Sequence, residues 1–118
     1  MSYVDGFVLA VPKDNIEAYR KFSNAAADVW LQYGALTYKE FVADDVPPGK
    51  TTSFPLSVKA ESNETVVFAY ITYKSREHRD EVNTKVMADP RMKDMDPKTA
   101  PFDAHRMIFG GFKNIVDR

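Results

Sequence analysis

There is no cysteine in this chain, which excludes disulfides, thiol catalysis and thiolate metal sites. Only two histidines occur, His78 and His105. Neither has a partner at metal-ligand spacing, so no metal site and no cofactor is expected. Acidic and basic residues nearly balance, for a formal net charge of -1. That leaves no basic excess to hold phosphates, so no nucleic-acid partner is expected. No apolar run approaches the ~20 residues of a membrane helix, so no membrane partner is expected either. The N-terminal Met1-Ser2-Tyr3-Val4-Asp5-Gly6 lacks a basic region and a cleavage site. A cytoplasmic location is therefore expected. Walker loops, dinucleotide glycine fingerprints, nucleophile elbows and zinc-protease helices are all missing.

What remains is ordinary for a globular domain. Hydrophobic residues make up 44% and charged residues 28% of 118 positions, which predicts one domain over 1–118. Tyr3 to Val11 is rich in β-branched and aromatic residues and stops at Pro12, as a first strand would. Asp14 and Glu17 suggest a capping box. Ile16, Tyr19, Phe22, Ala26, Val29, Trp30 and Tyr33 then follow helical spacing. Gly34 supplies a left-handed helix end. Leu36 to Ala43 reads as a second strand. The connection from Asp44 to Asn63 is long, and Phe54, Leu56 and Val58 alternate as in a short extra strand. Thr65 to Tyr73 is the clearest strand. Ser75 caps a second helix running to about Ala88, and a surface loop follows from Arg91 to Ala100. Arg106 to Ile115 reads as the last strand.

Strand-helix-strand-strand-helix-strand is the ferredoxin-like βαββαβ order, an α+β fold with an antiparallel sheet. The crossover rule places the first and third strands in the centre. Two helices cover only one face of such a sheet. Yet Val66, Phe68 and Tyr70 on one face and Val67, Ala69 and Ile71 on the other are all apolar. An open apolar face of that size predicts a homodimer; the alternative is that the Asp44–Asn63 loop folds over it.

Chemistry-bearing candidates fall in four places. Asp5, Tyr38 and Glu40 lie on the strand faces expected at the dimer interface. There an apolar chamber would raise a carboxylate's pKa and suit acid–base work; the structural alternative is that Asp5 and Glu40 lie near strand ends and are solvated, or pair with Lys39 or Arg106. His78 and Arg79 open the second helix, where Arg76 and Arg79 are placed to hold an anion or a carboxylate. Asp103, His105 and Arg106 precede the last strand. Gly110 and Gly111 interrupt that strand, which signals either an edge bulge or the close approach of a second subunit or ligand.

Several stretches taken together carry a resemblance. They include Tyr3-Val4-Asp5-Gly6-Phe7-Val8, Asp45-Val46-Pro47 with Gly49-Lys50, and Glu64 with Val66-Val67-Phe68. Others are Met87 with Asp89-Pro90-Arg91-Met92, and Pro101-Phe102-Asp103 with Arg106-Met107-Ile108 and Gly110-Gly111-Phe112. In this order and spacing the chain resembles the bacterial YbaA-like family, a family of unknown function, over nearly its whole length. The resemblance implies a dimeric α+β barrel built from ferredoxin-like subunits. It implies no activity. Where the family carries Gly-Lys this chain has Ala104-His105, so the resemblance assigns His105 no role.

Three functions compete. One is a small-molecule binder or cofactor-independent enzyme, with Asp5, Tyr38, Glu40, His78 and Asp103 as catalytic candidates and Arg79, Arg106, Gly110 and Gly111 as ligand contacts. Another is a non-catalytic stress or regulatory module that binds a protein partner through the Asp44–Asn63 loop or the dimer surface. RNA binding is third, without electrostatic support.

Overall fold

The structure is a computed structural model that describes residues 2–118. Strand β1 (Tyr3–Pro12) is followed by a 3-10 turn (Lys13–Asn15) and helix α1 (Ile16–Gln32). Then come β2 (Thr37–Val42), a helical turn α2 (Phe54–Ser57), β3 (Glu64–Tyr73) and α3 (Arg76–Ala88). A second helical turn α4 (Pro90–Lys93), a 3-10 turn (Ala104–Arg106) and β4 (Ile108–Lys113) complete the chain. The four strands form one antiparallel sheet in the order β2-β3-β1-β4, so the first and third strands are central as expected.

Local chemistry explains most boundaries. The Ser75 hydroxyl accepts from the His78 amide at 3.1 Å and starts α3. Gly34, at φ +111°, turns the chain out of α1 in a conformation other residues resist. The expected Asp14 cap is not formed. Asp14 lies inside the 3-10 turn, and Asn15 at the helix start sends its side chain to the Pro101 carbonyl instead, at 3.2 Å.

The extra strand expected near Phe54 to Val58 is instead a helical turn. Ser53 accepts from the Leu56 amide at 3.1 Å, and Pro55 in the first turn has a fixed φ that suits a helix start. This turn packs on one end of the open face, where Val58, Val66 and Ala10 are buried together. The loop thus folds over part of its own sheet. Most of the open face stays uncovered, with Phe41, Phe68, Ile108 and Phe112 exposed. The surface loop expected from Arg91 also begins in helical conformation, as part of α4.

On the other face α1 and α3 cover the sheet. Leu9, Val11, Val67, Ile71 and Tyr73 of the sheet are buried there with Tyr19, Val29, Val82 and Val86 of the helices. No bulge interrupts β4. Its pairing with β1 runs unbroken from Tyr3 opposite Lys113 to Val8 opposite Ile108. The two glycines have separate causes. Gly111 leaves room for Tyr3, because a Cβ there would collide with the tyrosine hydroxyl and lie 2.8 Å from Cε2. Gly110 stands opposite Gly6 on the open face, where a Cβ would meet only the Phe112 ring, at 3.8 Å.

Candidate functional site

Strand alternation puts Tyr38 and Glu40 on one face of β2, and that face is the helix-covered one. The expected placement at a dimer interface is therefore corrected. Both side chains look into a chamber of about 190 Å³ between α1 and the sheet. Helical spacing brings Tyr19, Ser23, Ala26 and Trp30 of α1 to the same chamber. Phe7, Leu9 and Ile71 form the floor, and Met92, Met95, Phe102 and Met107 form the roof. The rings pack closely: Phe102 meets Tyr19 edge-on at 5.5 Å and Phe22 at 5.7 Å, and Trp30 lies 6.0 Å from Tyr38.

One end of this apolar chamber is polar. The Tyr19 hydroxyl donates a hydrogen bond to Glu40 Oε1, and the Tyr38 hydroxyl donates to Oε2 at 3.0 Å. Burial, reinforced by the Glu40 charge, pushes both phenols well above their ordinary range. They stay protonated and act as donors. Beyond the trio lies an outer groove of about 240 Å³, which shares Tyr19, Ser23, Tyr38 and Glu40 with the chamber and adds Arg20 and Asn24. The three polar side chains thus stand between an open groove and an inner chamber.

The remaining candidates lie elsewhere. Asp5 is buried and paired with Arg79 at 2.7 Å, not with Lys39 or Arg106. It sits on β1, separated from β2 by β3. Arg79 also bonds Asp80 at 2.8 Å and stacks 5.0 Å above the Tyr3 ring. Of the two partners considered for the arginines of α3, an anion or a carboxylate, Arg79 takes carboxylates inside the fold. The neighbouring Tyr73 hydroxyl is raised first by burial and then by the Asp5 charge. His78 accepts from the Lys74 amide at 3.0 Å through Nδ1 and lies edge-on to Tyr73. It is a local brace at the start of α3.

Arg106 forms a forked pair with Glu64, at 2.8 and 2.7 Å. It also reaches Asp103 and the Lys59 carbonyl, each at 2.9 Å. Hydrogen bonds from Arg106 hold both Glu64 and Asp103 below the usual carboxylate range. This clamp pins the segment before β4 to the start of β3, and that segment carries roof residues Phe102 and Met107. Asp103 and Arg106 are thus tied to each other and to the scaffold, outside the chamber wall. His105 is exposed, and its amide donates to Asp103. Gly110 and Gly111 lie outside the chamber wall as well.

Sequence reasoning missed Tyr19, Ser23 and Trp30 as site residues, having counted only their helical spacing or passed them over. A usable signal was present: a hydroxyl on the core face of a helix needs a buried partner. It also missed Asp89, which is buried, accepts from Tyr33 at 2.7 Å and is gripped by Arg91 at 2.9 Å. Among the described residues, no group of three or more His, Cys, Asp or Glu side chains could hold a metal ion.

The sheet order and the helix-lined chamber define a ferredoxin-like α+β protein, and solved structures share that fold. One is described as "Putative antibiotic biosynthesis monooxygenase from Nitrosomonas europaea" (TM-score 0.58, 13% identity, 97% of this chain and 90% of that one). Another is Rv0793 from Mycobacterium tuberculosis (TM-score 0.59, 13% identity, 99% and 98%). At such identity the likeness concerns the fold alone. The family is settled by sequence. The chain belongs to the family described as "Protein of unknown function (DUF1428)", which matches residues 2–104. It is 53% identical over 117 residues to the uncharacterized protein YbaA of Escherichia coli (strain K12), covering 99% of each chain.

Proposed function

We propose that this protein binds a small, largely apolar organic molecule in the chamber between α1 and the sheet, with Tyr19, Tyr38 and Glu40 as its polar contacts. The observation that carries this reading is the convergence of two phenol donors and one carboxylate on one end of an otherwise apolar space of about 190 Å³. Concave apolar sites with few, placed polar groups are the usual form of a small-molecule site. Asp5, His78 and Asp103 are assigned to the scaffold. We further propose a homodimer in which the open faces of two sheets pack on each other. Phe41, Phe68, Ile108 and Phe112 support it, because so many exposed apolar groups on one face rarely stay in water.

Trp30 is the single tryptophan and lines the chamber, so its emission reports on that site. Native mass spectrometry of freshly purified protein should give the mass of two chains. Saturable change of Trp30 emission with small aromatic compounds should follow, and should vanish when Ala26→Phe fills the chamber. Emission that no compound changes, in protein whose native mass shows no bound molecule, would sink the binding reading.

A further inference from the structure

Glu40 differs from every other well-placed carboxylate in its partners. Asp5 faces Arg79, Glu64 and Asp103 face Arg106, and Asp89 faces Arg91. Among the described residues Glu40 has no ion-pair partner; its two bonds come from neutral phenols. Among the described residues Lys39 is the only cation along the chamber wall. It is exposed, and alternation puts its side chain on the opposite face of β2. Arg20 lines the outer groove, not the chamber, and is exposed and paired with Glu17 at 3.5 Å. On its chamber side Glu40 is therefore a negative charge with no cation beside it.

A carboxylate offers about four acceptor sites, and the phenols use two. What remains invites a donor. A second anion in the chamber would face Glu40 with no cation on the chamber side to neutralise either charge. The wall sets the rest of the ligand. Trp30, Phe22, Phe102 and Phe7 offer ring faces and edges, and three methionine sulfurs complete the lining, which suits a flat polarizable ring. A dry cavity of about 150 Å³ takes benzene. About 190 Å³ therefore suits one ring with one short substituent.

We infer that the chamber selects a monocyclic aromatic molecule bearing a hydroxyl or amino donor, and that Glu40 is the residue that excludes aromatic carboxylates. The inference rests on the reading of the chamber as a binding site, and the test separates the two. Four probes share one ring and differ in one group: toluene, benzyl alcohol, benzylamine and benzoate. Each is titrated at neutral pH against wild type and Glu40→Gln, read by Trp30 emission and checked by calorimetry. Benzyl alcohol and benzylamine should bind wild type at least about tenfold more tightly than benzoate, the penalty of an uncompensated charge pair. In Glu40→Gln the gap should close to within about threefold, because the amide can donate to benzoate.

If benzoate binds wild type as well as benzyl alcohol does, the inference is wrong, whatever the variant shows. The same holds if Glu40→Gln folds and still rejects benzoate. Should that variant fail to fold, the wild-type ranking alone decides. If toluene and all the others fail to bind, the chamber reading itself falls, and the selectivity with it.

Discussion

Gly111→Ala tests the packing that supports β4. The backbone at Gly111 is not left-handed, so alanine carries no conformational penalty there. It should even gain about 0.4–1 kcal/mol through the unfolded chain. The cost is steric. The new methyl would overlap the Tyr3 hydroxyl and come within 2.8 and 2.9 Å of Cε2 and Cζ. Tyr3 cannot simply swing away, because the Arg79 guanidinium lies 5.0 Å above its ring and is itself fixed to buried Asp5. Overpacking of this kind costs about 1–3 kcal/mol, and loss of the cation–ring contact adds about 0.5–1 kcal/mol. The net loss expected from urea unfolding is about 1–3 kcal/mol. A double-mutant cycle isolates the cause. In a Tyr3→Ser background the collision is gone, and Gly111→Ala should cost at least about 1 kcal/mol less. Equal cost in both backgrounds would refute the assignment of Gly111 to the accommodation of Tyr3.

Two other perturbations read different parts of the molecule. Arg106 depresses the Glu64 carboxyl below its ordinary value of 4.5, so its contribution is full above that pH and is lost as pH falls through the depressed value. Arg106→Met should cost about 2 kcal/mol at pH 7. That difference from wild type should shrink steadily in urea titrations at acid pH; one that stays constant would mean the forked pair is not its source. Phe68 stands in the middle of the open face beside Tyr70 and Phe54, yet is itself 42% exposed. Phe68→Glu should leave the far-ultraviolet circular dichroism intact and shift sedimentation from two chains to one; an intact dimer would move the interface off this face.

The periodicities carried the architecture. Helical spacing from Ile16 to Trp30, the Ser75 cap and the Gly34 stop fix two helices, and the order of elements then leaves few ways to build the sheet. Which face the helices cover was not legible from hydrophobicity, because Val66, Phe68 and Tyr70 are as apolar as Val67, Ala69 and Ile71. The distinction lies in size: the smaller set packs under the helices, and the large rings of Phe68 and Tyr70 remain on the open side. Phe54, Leu56 and Val58 misled for a related reason. Their alternation is real, but Ser53 and Pro55 act within one turn and outweigh it.

The candidate site was legible only in part, since charge partners come from remote sequence. Arg79 and Asp5 are 74 positions apart, and Arg106 and Glu64 are 42 apart. Residue type alone cannot tell a carboxylate neutralised by such a partner from one left to act. Here the arginines occupy Asp5, Glu64, Asp89 and Asp103, and Glu40 is held only by hydroxyls that do not cancel its charge. That difference in partners, more than any motif, is what separates the candidate functional group from the scaffold.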